Sequence, residues 1–73
     1  APGDLETGLA AADAELLAGD PAAAFARLVD LVRVTSGEDR DVVRARLLEL
    51  FEVVGPEHPA VGPTRVALAN ALF

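Results

Sequence analysis

The chain contains no cysteine, lysine, tryptophan or tyrosine. Without cysteine there is no disulfide staple and no thiol chemistry, and no cluster of other ligands marks a structural metal. Without lysine, every one of the six cations is an arginine, set against twelve acids for a formal charge of −6. An acidic surface repels phosphate backbones and anionic lipid headgroups, which argues against nucleic acid and membrane surfaces as partners. No apolar run reaches the roughly 18 residues of a membrane span, and no signal-peptide pattern is present, so a cytoplasmic setting is expected. Strand formers are scattered Val and Thr with no alternating run, so helices are expected to dominate.

What the chain does have is small apolar residues. Hydrophobic residues make up 52% of its 73 positions. That excludes disorder, although much of the fraction is Ala, which favours helix but buries little area. The length predicts one domain, residues 1–73, with modest stability, because so short a chain hides about 60–65% of its unfolded surface. Three Phe are the only aromatic anchors. The opening Ala1-Pro2-Gly3 reads like part of a linker, so a longer parent protein is expected.

The periodicity predicts four helices. The first covers residues 4–18, with Asp4 as N-cap and Leu5, Leu9, Ala12 and Leu16 on one stripe. Gly8 costs helix propensity unless it permits a neighbouring helix to approach closely. Gly19-Asp20-Pro21 reads as a tight stop and restart: Gly at C′, Asp at N-cap, Pro at N1. The second helix runs from about Pro21 to Val34, with Ala24, Phe25, Leu28, Val29, Leu31 and Val32 facing a core. Arg27, Asp30 and Arg33 can pair on its outer side. Thr35 to Asp39 reads as a polar loop. The third helix is expected to be capped by Asp39 or Asp41 and to end near Val54, before Gly55-Pro56. Its apolar stripe is Val43, Leu47, Leu50, Phe51 and Val54, and Arg44, Arg46, Glu49 and Glu52 form its wet side. Pro63 lies four residues after Pro59, so a turn over 59–62 and a fourth helix from Pro63 to about Leu72 are expected, with a kinked continuous helix as the alternative.

No stretch carries a nucleophile, phosphate-loop or triad pattern. His58 is the only histidine and sits in a Pro-flanked turn, where a capping or exposed role is expected rather than catalysis or metal binding. Glu38, Asp39 and Asp41 lack the spacing, central Gly and closing Glu of a calcium loop. A non-enzymatic protein with no cofactor is therefore expected. The most informative segment is Pro63 to Phe73, where only Thr64, Arg65 and Asn70 interrupt the apolar residues. A helix of this composition is expected to be covered on more than one side, by its own domain or by a partner. The candidate partner-binding residues are Val66, Leu68, Leu72 and Phe73, with Arg65 and Asn70 as a polar rim. A protein partner or a second copy of the chain could supply the cover.

Leu17 to Leu31, reading LAGDPAAAFARLVDL, resembles the second half of a tetratricopeptide repeat through Gly19, Asp20, Ala24 and Leu28. Gly8 and Ser36 depart from the pattern, which prefers a bulky aromatic and a proline there. The second half, RLLELFEVVG at 46–55, PEHP at 56–59 and ALANALF at 67–73, resembles the C-terminal domain of the thioredoxin-like co-chaperones called chaperedoxins. The resemblance covers nearly the whole chain. It implies an all-α fold of two stacked antiparallel αα-hairpins, tetratricopeptide-like, that binds a chaperonin or unfolded clients, with the last helix as the docking element. The thioredoxin domain of that family is absent, so no redox activity is implied. Gly62-Pro63 also departs from it. The rival expectation is a self-assembly module that homodimerises.

Overall fold

The computed structural model describes residues 2–72. Four helices follow one another: α1 (Pro2–Leu17), α2 (Pro21–Val34), α3 (Gly37–Val54) and α4 (Val61–Leu72). The described residues contain no strand. The fold is all-α and built of helical hairpins, as the sequence predicts.

The first hairpin is set by its turn. Gly19 has φ +86°, a left-handed conformation that only glycine adopts cheaply. With it in place, the Asp20 N–H donates to the Glu15 carbonyl (2.9 Å) and the Gly19 N–H to the Leu16 carbonyl (3.0 Å), a Schellman ending for α1. The same Asp20 then caps α2, its Oδ1 accepting the Ala23 N–H at 3.1 Å, with Pro21 at the next position. The hairpin is antiparallel: Arg27 pairs with Glu15 near the turn, and Leu31 lies against Gly8 farther from it. A Cβ on Gly8 would come within 2.7 Å of Leu31 Cδ1, so the glycine serves close approach.

Three helix starts differ from the expected ones. α1 begins at Pro2, leaving Asp4 inside its first turn, where a carboxylate favours the helix dipole. α3 begins at Gly37 with Ser36 in the cap position, so the loop shrinks to Thr35 and Ser36. Glu38 and Asp39 lie in its first turn and act on the dipole rather than as the cap. The Arg40 Nε donates to the Thr35 carbonyl at 3.1 Å, and the Thr35 hydroxyl donates to the Leu31 carbonyl at 2.7 Å. α4 begins at Val61, two residues before Pro63. Proline is tolerated there because the first four N–H groups of a helix have no internal acceptor. The Ala60 N–H instead donates to His58 Nδ1 at 3.1 Å, which makes His58 a capping residue of the connection into α4.

α2 is the central element and packs against each of the other three. It buries Ala24, Phe25, Leu28, Val29 and Val32. They meet Ala12 of α1, Val43, Leu47, Leu50 and Phe51 of α3, and Val61 and Leu68 of α4 in one apolar cluster. Leu5, Leu9, Leu16, Leu31 and Val54 pack at its edge rather than inside it. Phe25 and Phe51 meet edge-to-face, centroids 5.1 Å apart at 74°. Such a pair adds about 0.5–1.5 kcal/mol beyond its buried area. No polar or charged side chain is buried among the described residues. The helices form a slab only 15 Å deep in its shortest dimension, so each keeps one face outward.

Asp20→Ala is expected to lower stability by about 1 kcal/mol, or roughly 4–8 °C in Tm for a domain of this size. Ser36→Ala should change Tm by less than the experimental scatter, because Ser36 makes no side-chain cap bond. Thermal melts followed by circular dichroism compare the two variants directly, and an equal loss in both would contradict the capping assignment.

Candidate protein-docking surface

The structure divides the six residues singled out in the last helix. Leu68 is 7% exposed and belongs to the core. It lies in the core cluster on a helix that packs against α2, so it holds the helix in place rather than meeting a partner. Leu72 is half-buried and packs on the same cluster. Val66 points outward, 63% exposed, and Arg65 and Asn70 are exposed beside it. Phe73 lies outside the described residues. The outward face of α4 is thus Gly62, Pro63, Val66, Ala69 and Asn70, and the helix carries no acid.

Arg65 does more than edge this face. Its guanidinium carbon sits 4.8 Å from the centroid of the Phe51 ring, so the side chain straps α4 to α3 by a cation–π contact. Arg46, assigned to the wet side of α3, turns instead toward α1. One of its terminal nitrogens donates to both oxygens of Asp13, at 2.9 and 2.8 Å. The cause is spacing: Asp13 and Arg46 are 33 residues apart, so equivalent turns of the two hairpins lie side by side. Arg27 donates to Glu15 at 2.6 Å, and that hydrogen bond, reinforced by the carboxylate charge, raises the guanidinium pKa further. Arg33 pairs with Asp30 within α2 at 3.1 Å.

Two shallow apolar grooves flank the outer side of α2, and the sequence reading missed both. One of about 380 Å³ lies between α2 and α4, walled by Ala22, Ala26, Val29, Ala60, Pro63 and Ala67, with Asp30, Arg33 and Thr64 as its polar lining. The other, about 480 Å³, lies toward α1 and is lined by Gly8, Ala23, Ala26, Leu31 and Val34, with Arg27 and Asp30. The available signal was the cluster of alanines at 22, 23 and 26. Small residues on a helix exterior leave space that long side chains would fill. Grooves of this kind accept apolar side chains of a docking helix. Among the described residues no three His, Asp or Glu side chains converge as a metal-ligand set, and no helix is long and apolar enough to cross a membrane.

Paired helices joined by a Gly-Asp-Pro turn, stacked so that Asp13 meets Arg46 close to one 34-residue repeat later, are the hallmarks of a tetratricopeptide array. A tetratricopeptide repeat family model matches residues 1–73. The chain belongs to the tetratricopeptide repeat family. It is 53% identical over 70 residues to an uncharacterized protein of Mycobacterium bovis (strain ATCC BAA-935 / AF2122/97). The same identity relates it to uncharacterized proteins of Mycobacterium tuberculosis strains CDC 1551 / Oshkosh and ATCC 25618 / H37Rv. Each alignment takes in 96% of this chain but 23% of the relative, so the chain spans about a quarter of the length of these curated proteins. No solved structure matches the chain. Tetratricopeptide-like repeats generally mediate contacts between proteins, and both the grooves and the outward face of α4 offer apolar surface for such contacts.

Arg65→Met is expected to cost up to about 1 kcal/mol, the worth of an exposed cation–π contact. The loss should vanish in a Phe51→Leu background. A double-mutant cycle from urea melts measures the coupling, and additive losses would show that the stacking contributes nothing.

Proposed function

We propose that this tetratricopeptide module is the non-enzymatic protein-docking part of a longer, cytoplasmic, thioredoxin-like co-chaperone, and that α4 docks onto a chaperonin or an unfolded client. The single observation that carries the docking reading is Val66. It is a large apolar side chain left 63% exposed on a helix whose outward face holds no charged group other than Arg65 at its edge. Interface cores are depleted of charge in this way. The α2–α4 groove adjoins the same helix through Pro63 and Ala67, so a partner can cover both together. The co-chaperone context rests on the resemblance of residues 46–73 to the chaperedoxin tail, and curated relatives four times as long leave room for a further domain.

Binding to immobilised bacterial chaperonin, measured by biolayer interferometry, tests this. Val66→Ser should weaken it at least about tenfold, the mark of an interface hot spot. The Tm should hold, because so exposed a substitution usually alters stability by no more than about 0.5 kcal/mol. Removing Leu72 and Phe73 should weaken binding more than it lowers stability. Equal binding by all three proteins sinks the reading. Sedimentation showing a tight dimer abolished by Val66→Ser would instead support self-assembly through α4.

A further inference from the structure

The start of α4 hangs on a short set of hydrogen bonds, and His58 takes part in three of them. Its N–H donates to the Gly55 carbonyl at 3.1 Å, its carbonyl accepts the Val61 N–H at 3.0 Å, and its ring Nδ1 accepts the Ala60 N–H at 3.1 Å. Pro59 and Pro63 bring no N–H to this stretch. Ala60 is held on both sides, its N–H by the imidazole and its carbonyl by the Thr64 N–H (3.2 Å) and hydroxyl (2.6 Å). Ala60, Pro63 and Thr64 also wall the groove between α2 and α4. The half-buried ring of His58 therefore positions one side of that groove.

The bond to Nδ1 carries a chemical condition. A neutral imidazole accepts at one ring nitrogen and keeps its proton on the other, whereas the cation donates at both. Nδ1 can accept the Ala60 N–H only while it is unprotonated. Protonation sets donor against donor and puts a positive charge beside the N-terminal end of α4, where the helix dipole disfavours cations. Among the described residues the ring has no ion pair to offset this. Glu52 and Glu57 are exposed and unpaired with it, Asp20 caps α2, Asp30 pairs with Arg33, and Arg65 lies over Phe51. The net charge of −6 favours proton uptake without restoring the lost bond.

We propose that His58 is a pH-operated latch on α4. With a neutral ring it closes the connection into the helix. With a protonated ring it frees the Ala60 N–H, loosens the first turn of α4 and slackens that wall of the α2–α4 groove. Imidazoles change charge between about pH 5 and 8, so the latch is shut at the alkaline end of that range and open at the acid end. The stability it adds is present at pH 8 and lost as the pH falls. The latch stands apart from the docking reading, since it requires no partner.

Two variants bracket the wild-type chain. His58→Asn keeps an acceptor, because an Asn carbonyl oxygen takes the same N–H two residues on in an Asx-turn and does not titrate. His58→Ala removes the acceptor at every pH. In thermal melts the wild type should exceed His58→Ala by about 4–8 °C at pH 8, as loss of one hydrogen bond predicts for a domain of this size, and should match it at pH 5. The margin of His58→Asn over His58→Ala should be the same at both. In NMR the Ala60 amide proton should move in step with the ring signals of the single histidine as the pH is lowered, and should not do so in His58→Asn. Ring ¹⁵N shifts at pH 8 should report a proton on Nε2 alone. The proposal is overturned by a wild-type margin over His58→Ala that is equal at pH 8 and pH 5, by an Ala60 amide indifferent to the ring, or by a proton on Nδ1 at pH 8.

Discussion

The edge-to-face contact of Phe25 with Phe51 joins the two hairpins, and the rest of the architecture is arranged around it. Phe25 belongs to the central helix, against which the other three pack, and Phe51 to the helix that Arg65 ties to α4. In a core otherwise made of Ala, Val and Leu, two rings supply area that small side chains cannot. That contact links α2 to α3 within the apolar cluster.

Arginine chemistry organises what the apolar core leaves undetermined. Arg27 secures the first hairpin, Arg46 registers α1 against α3, and Arg65 lies on an aromatic face. A planar guanidinium suits Arg27, through its forked hydrogen bonds to Glu15, and Arg65, through stacking, better than an ammonium would. These exposed pairs are individually weak. Their importance is positional, because they use up cations that would otherwise offset the acids. The remaining surface is consequently sorted, acidic along α1 and α3 and nearly free of charge along α4.

Much of this was legible in the sequence, for identifiable reasons. The Gly19-Asp20-Pro21 turn announced itself because each residue type satisfies a specific backbone requirement. The core positions of α2 and α3 followed from helical periodicity, and all of Phe25, Leu28, Val29, Val32, Val43, Leu47, Leu50 and Phe51 are buried. The starts of α3 and α4 were harder to read. Acidic residues serve equally as caps or as first-turn charges, and Pro63 is compatible with an unbonded position inside the helix as well as with its start. The docking surface was legible only in outline. Periodicity could mark the last helix as unusually apolar but could not say that Leu68 faces inward and Val66 outward. It also gave no hint of the grooves, which arise from what the alanines at 22, 23 and 26 leave unfilled. The pairing of Asp13 with Arg46 depends on how the hairpins stack, information that no single helix contains.

The close approach of α1 to α2 at Gly8 carries a further consequence. Gly8 and Leu31 line the same groove, and the missing Cβ is what allows the leucine its present position. Any side chain introduced at position 8 must displace the end of Leu31. A variation at position 8 would thus reshape the groove both directly and through Leu31. Helix spacing and groove shape are therefore set at the same position.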